Sequence, residues 1–229
     1  MQISWLHRNN HRECILFFSG WGMDPAPFCF LPAANHDLCL FSDYRELHPV
    51  NLDAFAGYQR LHLISWSMGV WVAGHLLADQ AAAFASATAI GGTLTPVDGQ
   101  RGIPPDNYGA MLDHFSQEVL DAFYRNMFDD GDQLARFLAN RPQRDLPGLR
   151  DEMAVFRDAF LRSGPGCDIY SHKIITSRDR IFSGRNQMRA WGKGGGEVHN
   201  WPHFPFFLLA DWRELLPPRG THSSNMDKR

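Results

Sequence analysis

Arg60-Leu-His-Leu-Ile-Ser-Trp-Ser-Met-Gly-Val-Trp-Val-Ala-Gly-His-Leu-Leu77 changes its repeat midway. Arg60 to Ile64 is the short apolar run of a buried strand. Ser65 to Gly69 gathers small residues into a turn, and Val70, Val72, Ala73, Leu76 and Leu77 then recur at helical spacing with no proline between them. Strand, tight turn and helix therefore follow one another directly. Upstream, Cys14-Ile-Leu-Phe-Phe-Ser19 reads as a buried strand closed by Gly20-Trp21-Gly22, and Leu38-Cys-Leu-Phe41 reads as another before Ser42-Asp43-Tyr44. Downstream, Phe84-Ala-Ser-Ala-Thr-Ala-Ile90 ends at Gly91-Gly92 and suits a strand covered on both faces.

From Tyr108 to Arg162 no strand-like run occurs, and apolar residues return at helical intervals among charges, which predicts a helical insertion. Strand character resumes over Asp168–Thr176 and stops at Ser177-Arg178-Asp179, and Phe206–Leu216 is the last helical candidate. The expected architecture is α/β, with a mostly parallel central sheet formed by 1–107 and 163–216. A helical lid occupies 108–162, and a mobile tail 217–229. Ligands of such sheets sit at the carboxyl ends of the strands.

With 229 residues, 44% of them hydrophobic, the chain can bury one sizeable core. A net charge of −3 from interspersed signs offers no surface for nucleic acid or for a membrane. Cys14, Cys29, Cys39 and Cys167 form neither a CxxC pair nor a zinc-finger pattern, so no metal, cofactor or disulfide framework is expected. Met1 to Arg12 lacks the apolar centre of a signal peptide, and the expected setting is a cytoplasmic monomer.

Ser65-Trp66-Ser67-Met68-Gly69 differs from the G-x-S-x-G nucleophile elbow of α/β-hydrolases only in carrying serine at the first position. Small residues there let the strand turn sharply and expose Ser67 at a helix amino end. A serine hydroxyl needs a histidine base and a carboxylate, which follow it in this fold in the order acid, then histidine. His203, in Pro202-His203-Phe204-Pro205-Phe206, lies beyond the last sheet segment and is preferred to His199. Asp179 ends a strand-like segment and satisfies the order, with Asp145 in reserve; Asp151 falls, like Asp145, within the helical insertion. The oxyanion donors would be the backbone N–H groups of Met68 and of Trp21, whose flanking glycines permit close approach.

With these residues placed, the chain resembles the pimeloyl-[acyl-carrier protein] methyl ester esterases of biotin synthesis, of the BioG type. The similar blocks are Leu16-Phe-Phe-Ser-Gly-Trp-Gly-Met-Asp24, Phe41-Ser-Asp-Tyr-Arg45, Ile64-Ser-Trp-Ser-Met-Gly-Val-Trp71 and His203-Phe-Pro-Phe206. The resemblance implies a reduced α/β-hydrolase fold with a helical lid and hydrolysis of a methyl ester carried on acyl-carrier protein. It also implies Ser67 and His203 as nucleophile and base and Trp21 and Met68 as oxyanion donors, while the acid matches less closely. For such a substrate, Phe115, Phe123, Met127 and Phe137 are candidates to cover the acyl chain. Arg125, Arg136, Arg141, Arg144 and Arg150 are candidates to dock the acidic carrier. A broad carboxylesterase or thioesterase would use the same residues, and an idle hydrolase-fold binding module would use none of them.

Overall fold

The computed structural model describes residues 1–218. Its strands are β1 (Gln2–His7), β2 (Glu13–Phe18), β3 (His36–Ser42), β4 (Arg60–Trp66), β5 (Phe84–Ile90), β6 (His172–Thr176) and β7 (Glu197–His199). The helices are α1 (Met68–Leu76), α2 (Pro105–Asp113), α3 (Gln117–Asn126), α4 (Gly131–Ala139), α5 (Leu146–Ser163) and α6 (Gly184–Trp191). One sheet holds all seven strands in the order β1-β3-β2-β4-β5-β6-β7, parallel except for β1, which runs antiparallel to β3.

The centre of the sheet explains the unbroken apolar runs. β2, β3 and β4 are covered on both faces, so Ile15 to Phe18, Leu38 to Phe41, Leu63 and Ile64 are all inaccessible to solvent. β2 pairs in register with β3 on one side and β4 on the other, which brings the ends of all three strands level: Phe18 faces Phe41 and Ser65. The loops that follow these strands consequently share one edge of the sheet.

Four helices, α2 to α5, separate β5 from β6. Three of them start on a polar cap: Ser116 Oγ accepts from Val119 N, Asp130 from Asp132 N and Asp145 from Gly148 N.

Two sequence expectations need correction, and one strand has no counterpart among them. Phe206–Leu216 is two short 3₁₀ segments, Phe206–Leu208 and Trp212–Leu215, rather than one helix. Leu209 is extended and Asp211 caps the second segment, while Phe206 and Trp212 pack into a ring cluster with Phe17 and Phe28; tertiary aromatic packing overrides the helical spacing. The strand expected over Asp168–Thr176 begins only at His172, because Asp168 folds back to accept from Tyr170 N at 3.2 Å. The polar amino terminus supplies an edge strand, β1, half exposed and broken by an irregularity between Trp5 and His7. Beyond residue 218 the expected tail lies outside the described residues.

Candidate active site

Ser67 stands between β4 and α1 with φ 59° and ψ −124°, a backbone conformation that a residue with a side chain adopts only when its surroundings enforce it. Those surroundings are glycines. A Cβ on Gly69 would lie 2.2 Å from Phe18 O and 2.5 Å from Ser19 O, and one on Gly92 would lie 2.2 Å from Ser67 O. Strand β2 and the Gly91-Gly92 turn thus press directly on the elbow. The serine at its first position, Ser65, is fully buried beside the Tyr170 hydroxyl, which donates to Val70 O at 2.6 Å. A small polar side chain is accommodated there without opening the turn.

His203 and Asp179 meet at 2.7 Å between Nδ1 and Oδ2, both buried. Asp179 is held from both sides. Its Oδ1 accepts from the backbone N–H groups of Ile181 and Phe182, each at 2.8 Å, and its Oδ2 accepts from Thr176 Oγ1 at 2.8 Å and from Gln187 Nε2 at 3.2 Å. A carboxylate so fully bonded has one orientation, and it fixes the imidazole tautomer that carries its proton on Nδ1, leaving Nε2 as the basic nitrogen. The loop bearing His203 is tied down by Trp66, whose Nε1 donates to His203 O at 2.8 Å. Trp66 directly precedes Ser67, so the Ser67 turn and the His203 loop share one anchor.

The other candidates lie elsewhere. Asp145 caps α5 through Gly148 N at 2.8 Å, and His199 packs against Trp201 with 4.2 Å between ring centroids and faces Glu197. Met68 opens α1, so its N–H has no acceptor within the helix. Trp21 occupies the turn after β2, where Gly22 has φ 73°. A Cβ on Gly20 would touch Trp66 and the Ser67 Cβ at 3.0 to 3.1 Å, which measures how closely this turn approaches Ser67.

The Trp21 turn is anchored to α5. Trp21 Nε1 donates to Leu149 O at 2.8 Å, Gly22 N donates to Glu152 Oε2 at 3.3 Å and Tyr44 N to Glu152 Oε1 at 2.9 Å. Glu152 is completely buried and faces Arg144 at 3.2 Å, which also pairs with Asp43 at 3.1 Å. Burial pushes the Glu152 carboxyl up to about 7, against the opposing pull of Arg144 and the two backbone donors. Burial also raises the Asp43 carboxyl, but hydrogen bonds from Arg45 and the charge of Arg144 bring it below its usual range.

A cavity of about 260 Å³ reaches Ser67 and Met68, walled by Trp21, Tyr108, Met111, Phe123, Met153 and Phe182. Asn107, Asn126 and Arg180 add its polar groups. A space so small and so apolar is at the narrow end of ligand sites and suits an unbranched chain. Among the four proposed chain-covering residues, Phe123 lines it. Phe115 packs edge-on to Trp21, with centroids 5.7 Å apart. Met127 and Phe137 do not reach it: both are inaccessible, and Phe137 packs on Tyr124, Phe128 and Phe204.

Arg125, Arg136, Arg141 and Arg150 are exposed, whereas Arg144 points inward to its carboxylates. Arg136 lies over the rings of Phe30 and Phe207 at 4.4 and 4.3 Å. Arg180, at the cavity wall and paired with Asp129 at 2.9 Å, went unnoticed in the sequence, as did Trp66, Thr176 and Gln187. Its position one residue after Asp179 was the available signal.

Comparison with known proteins follows the same lines. A family profile described as pimeloyl-ACP methyl esterase BioG matches residues 1–213. A Bacteroides fragilis protein named malonyl-[acyl-carrier protein] O-methyltransferase is 34% identical over 190 residues, covering 83% of this chain and 39% of the relative; the chain thus spans about two fifths of that protein's length. The crystal structure of BioG from Haemophilus influenzae superimposes with a TM-score of 0.84 at 27% identity, covering 95% of this chain and all of the other. A hydrolase from Pseudomonas aeruginosa shares only the fold, with a TM-score of 0.55 at 16% identity over 86% of this chain and 84% of its own. The sheet order, the elbow and these likenesses agree on a reduced α/β-hydrolase fold, and the chain belongs to the pimeloyl-ACP methyl esterase BioG family.

Proposed function

We propose that this chain is a serine esterase that removes the methyl group from a pimeloyl methyl ester carried on acyl-carrier protein, releasing methanol, as a step of biotin synthesis. The observation that carries the proposal is the strained Ser67 at the floor of a narrow apolar cavity, on a loop that shares the Trp66 anchor with the His203–Asp179 pair. His203 takes the Ser67 proton as Oγ attacks the ester carbonyl. The resulting oxyanion is met by the N–H groups of Met68 and Trp21. The tetrahedral intermediate collapses with His203 protonating the departing methanol. Water, deprotonated by the same histidine, then hydrolyses the acyl-enzyme to the free carboxylate.

The apolar walls fit the methylene chain, and α2 to α5 act as the lid over it. Arg125, Arg136, Arg141 and Arg150, exposed on or beside that lid, suit an acidic carrier, and Arg180 at the cavity wall suits an anionic group of the bound substrate. The match to part of a protein named for methylating an acyl-carrier substrate is consistent with the opposite reaction on the same class of ester.

The test is hydrolysis of pimeloyl-carrier methyl ester by the purified chain and by Ser67→Ala, followed by mass. Loss of one methylene unit with the carrier thioester intact, in the wild type alone, is expected. Cleavage of small free esters only would leave an esterase of broad specificity. A fluorophosphonate probe that fails to label Ser67 would point instead to an idle binding module.

A further inference from the structure

The opposite edge of the sheet carries a second cluster. The amino ends of β2, β3 and β4 place Glu13, His36 and His62 together, because Glu13 pairs in register with His36 on one side and with Arg60, two residues before His62 and on the same face, on the other. Glu13 Oε2 lies 3.3 Å from His36 Nε2 and 3.1 Å from His62 Nε2, and the candidate ligand atoms of all three residues fall within 4.8 Å of one another. In a tetrahedral zinc site with bonds of about 2.0–2.1 Å, neighbouring ligand atoms are about 3.4 Å apart. Two edges of such a tetrahedron are thus already in place.

The surroundings add what a metal site needs. Both imidazoles are buried in the sheet, and His62 Nδ1 is bonded to Ser86 Oγ at 2.7 Å, which fixes its ring with Nε2 toward the carboxylate. Glu13 faces a cleft of about 340 Å³ that leaves room for a water as fourth ligand. We propose that Glu13, His36 and His62 bind one divalent transition-metal ion, with zinc the best match to two imidazoles and a carboxylate, at a structural site remote from Ser67. The absence of cysteine spacing gave no hint of it, since the three residues come from separate strands. Arg60 and Arg213 border the same cleft and oppose a cation, so binding is expected in the micromolar rather than the nanomolar range.

The competing arrangement is a carboxylate that accepts hydrogen bonds from two imidazoles and takes no ion. Chelator-treated full-length protein titrated with cobalt(II) separates the two. The proposal expects one equivalent with the intense visible bands of tetrahedral cobalt, displaced by zinc, and a melting temperature that rises with zinc concentration. His62→Gln and Glu13→Gln, checked for folding by circular dichroism, should each weaken binding at least tenfold. A double His172→Gln/His199→Gln variant, which removes the half-buried pair around Glu197, should leave it intact. Absence of the tetrahedral bands in the wild type overturns the proposal, and so does a signal that survives His62→Gln or is lost with His172 and His199.

Discussion

Replacing Arg144 with methionine keeps most of the apolar stem and removes the guanidinium that lies 3.1 Å from Asp43 and 3.2 Å from Glu152. Asp43 retains Arg45, bonded through both carboxylate oxygens, so the loss falls on Glu152, left in the core with only the N–H groups of Gly22 and Tyr44. Removing one partner of a buried pair costs about 3–5 kcal/mol, a large part of a total stability of roughly 5–15 kcal/mol. The protein has one way to relieve it, which is to protonate Glu152.

Burial already holds that carboxyl near 7 in the wild type, above the ordinary 4.5. Because the unfolded chain ionises first, stability falls as pH rises from about 4.5 to about 7, by at most about 1.4 kcal/mol per pH unit. Without Arg144 the folded-state value climbs further and the decline continues to higher pH. Urea unfolding should therefore show a deficit of about 2 kcal/mol at pH 7.5 that shrinks to about 1 kcal/mol at pH 5.5, since a wild-type value near 7 lets proton linkage open at most about 0.8 kcal/mol between the two, with ester turnover falling in parallel as the Trp21 turn loosens. A deficit below about 1 kcal/mol at pH 7.5, or one equal at both pH values, refutes the reasoning. Unchanged stability with a raised KM for carrier-bound ester would instead return Arg144 to the docking surface.

Asp179→Asn should keep the fold but lower kcat on simple esters by about 10⁴-fold, since the amide stabilises the wrong His203 tautomer; a loss below tenfold would remove Asp179 from the mechanism. Gly69→Ala drives a methyl group into Phe18 O and Ser19 O, so loss of several degrees in Tm together with most of the activity is expected, and a variant matching the wild type in both would contradict the close packing of α1 on β2. Phe123→Ala should raise KM for acyl substrates with a modest effect on stability, whereas Phe137→Ala should cost about 3–5 kcal/mol in urea unfolding with KM unchanged; a reversed pattern would mean that the cavity lies on the other side of these helices.

The strained Ser67 turn and the paired Asp179 and His203 were legible in the sequence because local pattern marks them: a turn of small residues after an apolar strand, then an acid and a histidine in the chain order of the fold. What supports them was not. Thr176 and Gln187 steady Asp179 across a strand–helix boundary, and Glu152 reaches Gly22 and Tyr44 across more than 100 residues of chain. In the sequence Glu152 is one charge among many on an amphipathic helix. Helical spacing marked Phe123 and Phe137 alike as apolar, but could not say which faces a cavity and which faces the core. β1 was missed because its residues are exposed or only half-buried, so neither an apolar run nor an alternation marks it.

The helices over the cavity divide by how they are fastened. α5 shares hydrogen bonds with the core through Leu149 and Glu152, and α2 is stitched to α5 by Tyr108, whose hydroxyl donates to Met153 O. For residues 115–126, by contrast, no hydrogen bond or ion pair to another part of the chain occurs among the described residues; Phe115 and Phe123 simply rest edge-on against Trp21, and the first tie beyond them is Phe204 N to Met127 O. α3 is therefore the least fastened of the helices that line the cavity. α3 is held by side-chain packing alone, Phe123 on Trp21 and the buried Leu120 and Tyr124 on the core, so it is expected to open at less expense than global unfolding while α5 keeps the Trp21 turn in position. Under the proposed function, entry of an acyl chain and preservation of the oxyanion geometry would fall to different helices, and amide exchange should be fast across α3 while α5 stays protected.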